Sequence, residues 1–184
     1  MPILRARSNA EAHLYMELNP CEACGELDFA AGSSISEVDG RLVTRFAGPC
    51  PGCGTAREFT FELPAEEPFP DEDEPAFGDA QPSGLVDAGQ WLWVADLIGQ
   101  AIPADGAALR PEERAQARFD LRIAAAAVAE AAKFLPGRAD AVPVEALWTD
   151  RGLAVYREEP ARFRRLRLET AHRAYRELAD RLPG

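Results

Sequence analysis

The chain's four cysteines fall into two Cys-x-x-Cys pairs, Cys21/Cys24 and Cys50/Cys53, with 25 residues between them. An even count would allow two disulfides. Paired hooks of this spacing belong instead to metal binding, or to a dithiol, in a reducing compartment. The opening residues 1–7 run into polar sequence rather than the apolar stretch of a secretory signal, and a cytoplasmic protein is expected. No apolar run approaches the ~20 residues that span a bilayer, so no membrane role is expected.

Each second cysteine is followed by glycine, Gly25 and Gly54. A tight turn that aims two sulfurs at one ion needs a backbone conformation glycine tolerates. Backbone N–H groups in such turns offset thiolate charge. Four thiolates suit tetrahedral Zn²⁺ with bonds of about 2.3 Å. The set Cys21, Cys24, Cys50 and Cys53 is therefore expected to hold structural zinc. With four thiolates and Zn²⁺ the site keeps a net negative charge, and Arg41, Arg45 and Arg57 are candidates to balance it. Catalytic zinc does not suit this set, because such sites keep an open position and use histidine or carboxylate ligands. A thiol-redox pair is the alternative chemistry.

Through Cys21/Cys24/Gly25 and Cys50/Cys53/Gly54 the segment 20–63 resembles the zinc-ribbon family. It departs from the family habit in Glu22, which stands where the second knuckle has Pro51, and in a longer intervening loop. The resemblance implies a small β-fold around one zinc ion. Ribbons serve nucleic acids, proteins and scaffolding alike, so it names no partner.

Local patterns fill in this module. Ser8 caps a short helix, with Glu11 completing a capping box and Leu14, Tyr15 and Leu18 on its apolar face. Leu27, Phe29 and Ala31 alternate as in a strand. Asp39-Gly40 marks a hairpin turn. Leu42, Thr44 and Phe46 then lie on one face of the returning strand, and Phe59, Phe61 and Leu63 on one face of the next. A three-stranded antiparallel sheet with both knuckles at one end is expected.

Composition divides the rest. Residues 64–84 hold five prolines and seven acids without a base, too little apolar surface to offset the entropy of ordering. They read as an acidic linker. Residues 85–184 read as a helical bundle: helices near 85–100, 111–135 and 160–182, a short one at 144–148, and an extended piece at 152–156. The expected fold class is α+β: a zinc ribbon at 1–63, the linker, and an all-α bundle at 85–184. The formal charge of −11 is −4 on residues 1–63 (nine acids, five bases), −7 on the linker and zero on the bundle (fifteen of each).

Other constellations have plain readings beside functional ones. Arg110, Arg114, Arg118 and Arg122 form a ridge on one side of a helix. It reads as an anion or nucleic-acid surface, as a dock for the acidic linker Glu66–Glu74, or as a solvated face. Arg162, Arg164, Arg165 and Arg167 add to it from the last helix. Trp91, Trp93 and Trp148 read as core, although Trp91 and Trp93 cannot share one helical face. His13 reads as a surface residue or a neighbour of the metal site, and His172 as solvent-facing. No nucleophile-elbow, phosphate-loop or dinucleotide motif occurs, so no enzyme is expected. The acidity argues against a general nucleic-acid binder, because phosphate contacts need clustered positive charge. What remains is protein binding to a basic partner, in concrete form an immunity-type protein that neutralises a cationic toxin. A nucleic-acid-associated regulator and a redox switch stand behind it.

Overall fold

The computed structural model describes residues 3–62, 64, 74–103 and 109–182. The fold is α+β: a small four-stranded sheet with one helix, and a separate group of four helices. The chain divides into two compact units. The first takes residues 1–69, 77–79 and 83–85, and the second takes 70–76, 80–82 and 86–184.

In the first unit, β1 (Leu4–Arg5) leads to α1 (Asn9–Leu18), then β2 (Gly32–Val38), β3 (Arg41–Pro49) and β4 (Ala56–Glu62). The sheet order is β1-β4-β3-β2. β2, β3 and β4 are antiparallel, as the sequence suggests, but β1 adds a parallel edge on β4, so the sheet is mixed. The β2–β3 turn is a two-residue loop with Asp39 at φ 52° and Gly40 at φ 74°, the twist-matched hairpin turn that Asp-Gly favours.

The strand expected at Leu27–Ala31 is absent. Residues 25–31 are irregular and β2 starts at Gly32. The Asp28 carbonyl accepts from Arg57 at 3.0 Å and the Glu26 carbonyl from the Cys21 N–H at 2.8 Å, so neither joins a ladder. Phe29 and Ala31 still pack on the core. That core lies between α1 and one face of the sheet: Ala6, Ala12, Met16, Phe46 and Phe61, with Tyr15 and Phe59 half-buried beside them. Tyr15 meets Phe61 edge-on with centroids 5.9 Å apart, and Phe46 meets Phe61 at 6.0 Å. Such pairs add about 0.5–1.5 kcal/mol each beyond burial. Leu63, expected on this face, lies outside the described residues.

Ser8 caps α1 by accepting the Glu11 N–H at 3.0 Å. Glu11 does not return the bond to Ser8. It is fully buried, accepts the backbone N–H of Arg7 at 2.7 Å, and pairs with the Arg7 guanidinium at 2.6 Å. The Ser8 hydroxyl donates to the Phe77 carbonyl at 2.7 Å, and Leu85 packs against the core, so the later part of the acidic stretch folds onto this unit.

The second unit contains α2 (Ala88–Ala101), α3 (Pro111–Ala132), α4 (Asp150–Glu158) and α5 (Arg165–Arg181), with 3-10 turns at Val144–Ala146 and Pro160–Phe163. α3 packs against both α2 and α5, and α2 also packs against α4. Pro111 opens α3, where its missing N–H costs nothing. α3 ends at Ala132. Residues 133–135 tighten into i→i+3 bonds before Gly137, which has φ 47°. The α3 seam holds: Ala117, Leu121, Ala124 and Val128 are buried, and Ala132 and Leu135 half-buried.

The extended piece expected at 152–156 is instead the middle of α4. Thr149 caps that helix by accepting the Gly152 N–H at 3.0 Å, and Asp87 fixes Thr149 in place. A Cβ at Gly89 would collide with the Gly152 backbone, so this glycine pair lets α2 and α4 cross closely. Trp91 is fully buried, whereas Trp93 is half-buried under the Arg151 guanidinium, 4.2 Å from its ring centroid. Trp148 gives its backbone N–H to Asp87, but its side chain is half exposed and tilts against Phe134 rather than entering the core.

Candidate metal centre

The two knuckles are built alike. Cys21 donates its N–H to the Glu26 carbonyl at 2.8 Å, and Cys50 does the same to Thr55 at 2.8 Å. Gly25 and Gly54 donate back to the Cys21 and Cys50 carbonyls at 2.7 and 2.8 Å. Both glycines have positive φ, 78° and 75°, the left-handed conformation a Cβ would strain. The second knuckle joins β3 to β4. The first hangs from α1 through Asn19-Pro20.

The four sulfurs come together, all within 4.8 Å of one another. Cys21 Sγ is 3.7 Å from Cys53 Sγ, and Cys24 Sγ is 3.6 Å from Cys50 Sγ. All four thiols are free, and these separations are far beyond a disulfide bond of about 2.05 Å. A tetrahedron with 2.3 Å metal–sulfur bonds has edges of about 3.8 Å, so the closest pairs already sit at bridging distance across one ion. Cys21 and Cys50 are buried, and Cys24 and Cys53 are exposed. The donor set therefore fits a soft, tetrahedral metal ion.

Each knuckle also polarises its outer sulfur. The Thr55 hydroxyl and backbone N–H, with Cys24 and Cys21, lower the Cys53 thiol to about 6. The Glu26 backbone N–H pulls Cys24 the same way, but hydrogen bonding with Cys53, burial, and the Cys50 and Cys21 sulfurs outweigh it and push that thiol up to about 12. Without a cation, four thiols this close cannot all ionise.

Arg57 of β4 holds the first knuckle. Its guanidinium donates to the carbonyls of Asn19 at 2.7 Å, Asp28 at 3.0 Å and Glu26 at 3.5 Å, and lies 4.4 Å from the Phe29 ring centroid. Of the three arginines expected to balance the site's charge, Arg57 alone sits by a knuckle. Arg41 pairs with Glu62 at 2.9 Å and Arg45 with Glu58 at 2.6 Å. Those pairs face each other across β3 and β4, away from the sulfurs in register. His13 stays out of the cluster. It is exposed, bonded to the Asn9 carbonyl, and edge-on to Phe46. Two contributors escape sequence reading. One is the carbonyl-binding role of Arg57. The other is Gly52, where a Cβ would stand 3.3 Å from Cys24 Sγ and from Glu26, so the second knuckle's backbone can close on the first. The Gly after Pro51 is the one available signal for it.

The arginine ridge is mostly engaged within its own unit. Arg110 pairs with Glu112 at 2.5 Å and Glu113 at 2.8 Å. Arg114 donates to the Leu109 carbonyl at 2.7 Å and Arg118 to the Leu182 carbonyl at 3.3 Å. On the last helix and the turn before it, Arg162 clasps Asp96 with two bonds of 2.7 and 2.6 Å, and Arg165 takes the carbonyls of Gly137 and Ala139. Glu74, from the acidic stretch, pairs with Arg176 of α5 at 2.6 Å, and Arg122 and His172 also act on its charge. The rest of the Glu66–Glu74 run lies outside the described residues. His172 is half-buried rather than solvent-facing, and burial lowers its pKa. Among the described residues, no helix is long and apolar enough to cross a membrane.

Comparison with known protein families, with curated proteins and with solved structures gives no match. The cluster therefore rests on its own geometry.

Proposed function

We propose that this chain is a non-enzymatic protein-binding module, stabilised by structural zinc, that recognises a basic protein partner. One observation carries the reading. Several arginines of each unit are drawn into contacts within it, whereas the sequence as a whole carries an acidic excess. Arg110, Arg114, Arg118, Arg162, Arg165 and Arg176 each bind a carboxylate or a carbonyl. A net charge of −11 favours and speeds encounter with a cationic protein.

Zinc is the metal that the all-thiolate donor set and the near-tetrahedral sulfur spacing support best. Four protein ligands leave no position for a water or substrate, so the ion would act as a clamp. The concrete form of the function is an immunity-type protein that covers the active site of a cationic toxin such as a nuclease or deaminase. Affinity purification from the native cell tests it. Recovery of one basic protein at about one-to-one stoichiometry is expected, and recovery of no protein partner removes the reading.

A thiol-redox switch is the second reading, supported by the exposure of Cys24 and Cys53. It requires zinc release and two disulfides under mild oxidant, which metal analysis before and after oxidation reports. A nucleic-acid-associated regulator using the ribbon or the Arg110–Arg122 ridge is the remaining reading; in the ridge, Arg110, Arg114 and Arg118 already contact carboxylates or carbonyls of their own unit.

A further inference from the structure

We propose that the outer edge of β2 is a docking strand, onto which an extended cationic segment of a partner protein adds as a fifth strand of the sheet. This rests on the reading of the chain as a module for a basic partner, and it assigns the surface.

The sheet has two edges, β1 and β2. β1 is two residues long, too short an edge for strand addition. β2 pairs with β3 over all seven of its residues without a bulge, and all seven are exposed. Residues 32–38 contain no proline and no lysine, the usual devices that blunt a free edge. The Val38–Arg41 pair closes a two-residue hairpin, so it carries ladder bonds. By alternation Val38, Ser36, Ser34 and Gly32 turn their backbone groups to β3. Ser33, Ile35 and Glu37 present theirs outward, a ready set of donors and acceptors for strand addition.

Side chains supply the rest. Ile35 lies opposite Thr44 and Glu37 opposite Leu42, which places Ile35 and Leu42 diagonally on the face that carries Phe46 and Phe61. The aromatic core of that face is covered by α1, but Ile35 is 73% exposed and Leu42 66%. A strand laid along β2 would cover both. The charge beside the edge is of one sign. Glu37 and the turn residue Asp39 are exposed and have no ion-pair partner among the described residues, while Arg41 and Arg45 are already paired with Glu62 and Glu58. A partner strand with alternating apolar and basic residues matches this edge in hydrogen bonding, apolar contact and charge. A β2 strand from a second copy of this chain carries no basic side chain to meet Glu37 or Asp39.

The test uses the full zinc-loaded chain and a synthetic peptide of alternating valine and lysine, with a valine–glutamate peptide as control. Amide hydrogen exchange is read residue by residue. Binding of the lysine peptide alone, with protection of the Ser33, Ile35 and Glu37 amides, is expected. Ser33→Pro removes one outward N–H and leaves the β3 ladder intact, and is expected to weaken binding about fivefold or more. Should that variant unfold, Glu37→Lys combined with Asp39→Asn is expected to weaken binding without altering the fold. No binding, binding that leaves these amides unprotected, or full affinity in a folded Ser33→Pro or charge variant overturns the proposal. So does protection of the same amides in the protein alone together with a dimer in sedimentation, which assigns the edge to a second copy. Lysine-peptide binding that protects other amides overturns the edge while leaving the basic-partner reading in place. Failure of native purification to recover a basic partner counts against that reading separately.

Discussion

Thr149 donates both its backbone N–H and its hydroxyl to one oxygen of Asp87, each over 2.7 Å. The same carboxylate accepts the Trp148 N–H at 3.1 Å, and its other oxygen caps α2 through the Gln90 N–H at 2.8 Å. One fully buried side chain thus starts two helices. Asp87→Ala should cost about 2–4 kcal/mol, a lost cap plus N–H groups left without a partner. Asp87→Asn should still cost about 1–3 kcal/mol, because its amide nitrogen must face an N–H. Urea unfolding followed by far-ultraviolet circular dichroism measures both, and an Asn variant as stable as wild type would contradict the arrangement.

Arg57 holds the first knuckle by carbonyls on both its sides, so its removal acts on the metal site without touching a ligand. Arg57→Ala should destabilise the first unit by about 2–3 kcal/mol and speed zinc loss to a chelator. Arg57→Lys should restore little of this, since an ammonium cannot reach three carbonyls with the planar fork of a guanidinium. Chelator-competition rates on the three proteins check the order.

Purified chain is expected to carry about one zinc per molecule by elemental analysis. Cys21→Ser or Cys50→Ser should abolish stoichiometric metal and unfold the sheet unit while the signal of α2–α5 persists. Because the ligands must be thiolates, acid should release the ion, with the loss growing as pH falls. A metal-free chain with residues 3–62 fully folded would refute the clamp.

His172 has its pKa lowered from 6.5 by burial and by Arg176, against an opposing pull from Glu74. Its neutral form is therefore favoured in the folded protein. The unfolded chain binds the proton more readily, so the stability His172 contributes is present above pH 6.5 and is lost as pH falls from there through the folded value. Melting of wild type between pH 7.5 and 5 should show this decline in the helical unit, and His172→Gln should flatten it.

Elements whose geometry is written in a few neighbouring residues were legible without coordinates. Asp39-Gly40 needs positive φ at both positions, and few residue pairs offer it. Pro111, Ser8 and the α3 seam are local in the same way. Elements decided by a distant partner were not. The 152–156 segment has strand-like residues, yet α4 forms there because Asp87, more than sixty residues away, anchors Thr149. Leu27–Ala31 alternates like a strand, yet its Asp28 carbonyl goes to Arg57 rather than to a ladder. The arginine ridge is visible as a periodicity, but its engagement depends on the carbonyls of Leu109 and Leu182, residues far apart in the chain.

By itself the sequence determined the four-cysteine set, its glycine-bearing turns, the hairpin between β2 and β3, and the order of sheet before helices, because each follows from spacing and backbone preference over a few residues. Tertiary structure alone decided how closely the sulfurs approach, which arginines are engaged, and which strand edge stays open. Those depend on the free energy of contacts between residues far apart in the chain, and no local pattern encodes which distant group will arrive.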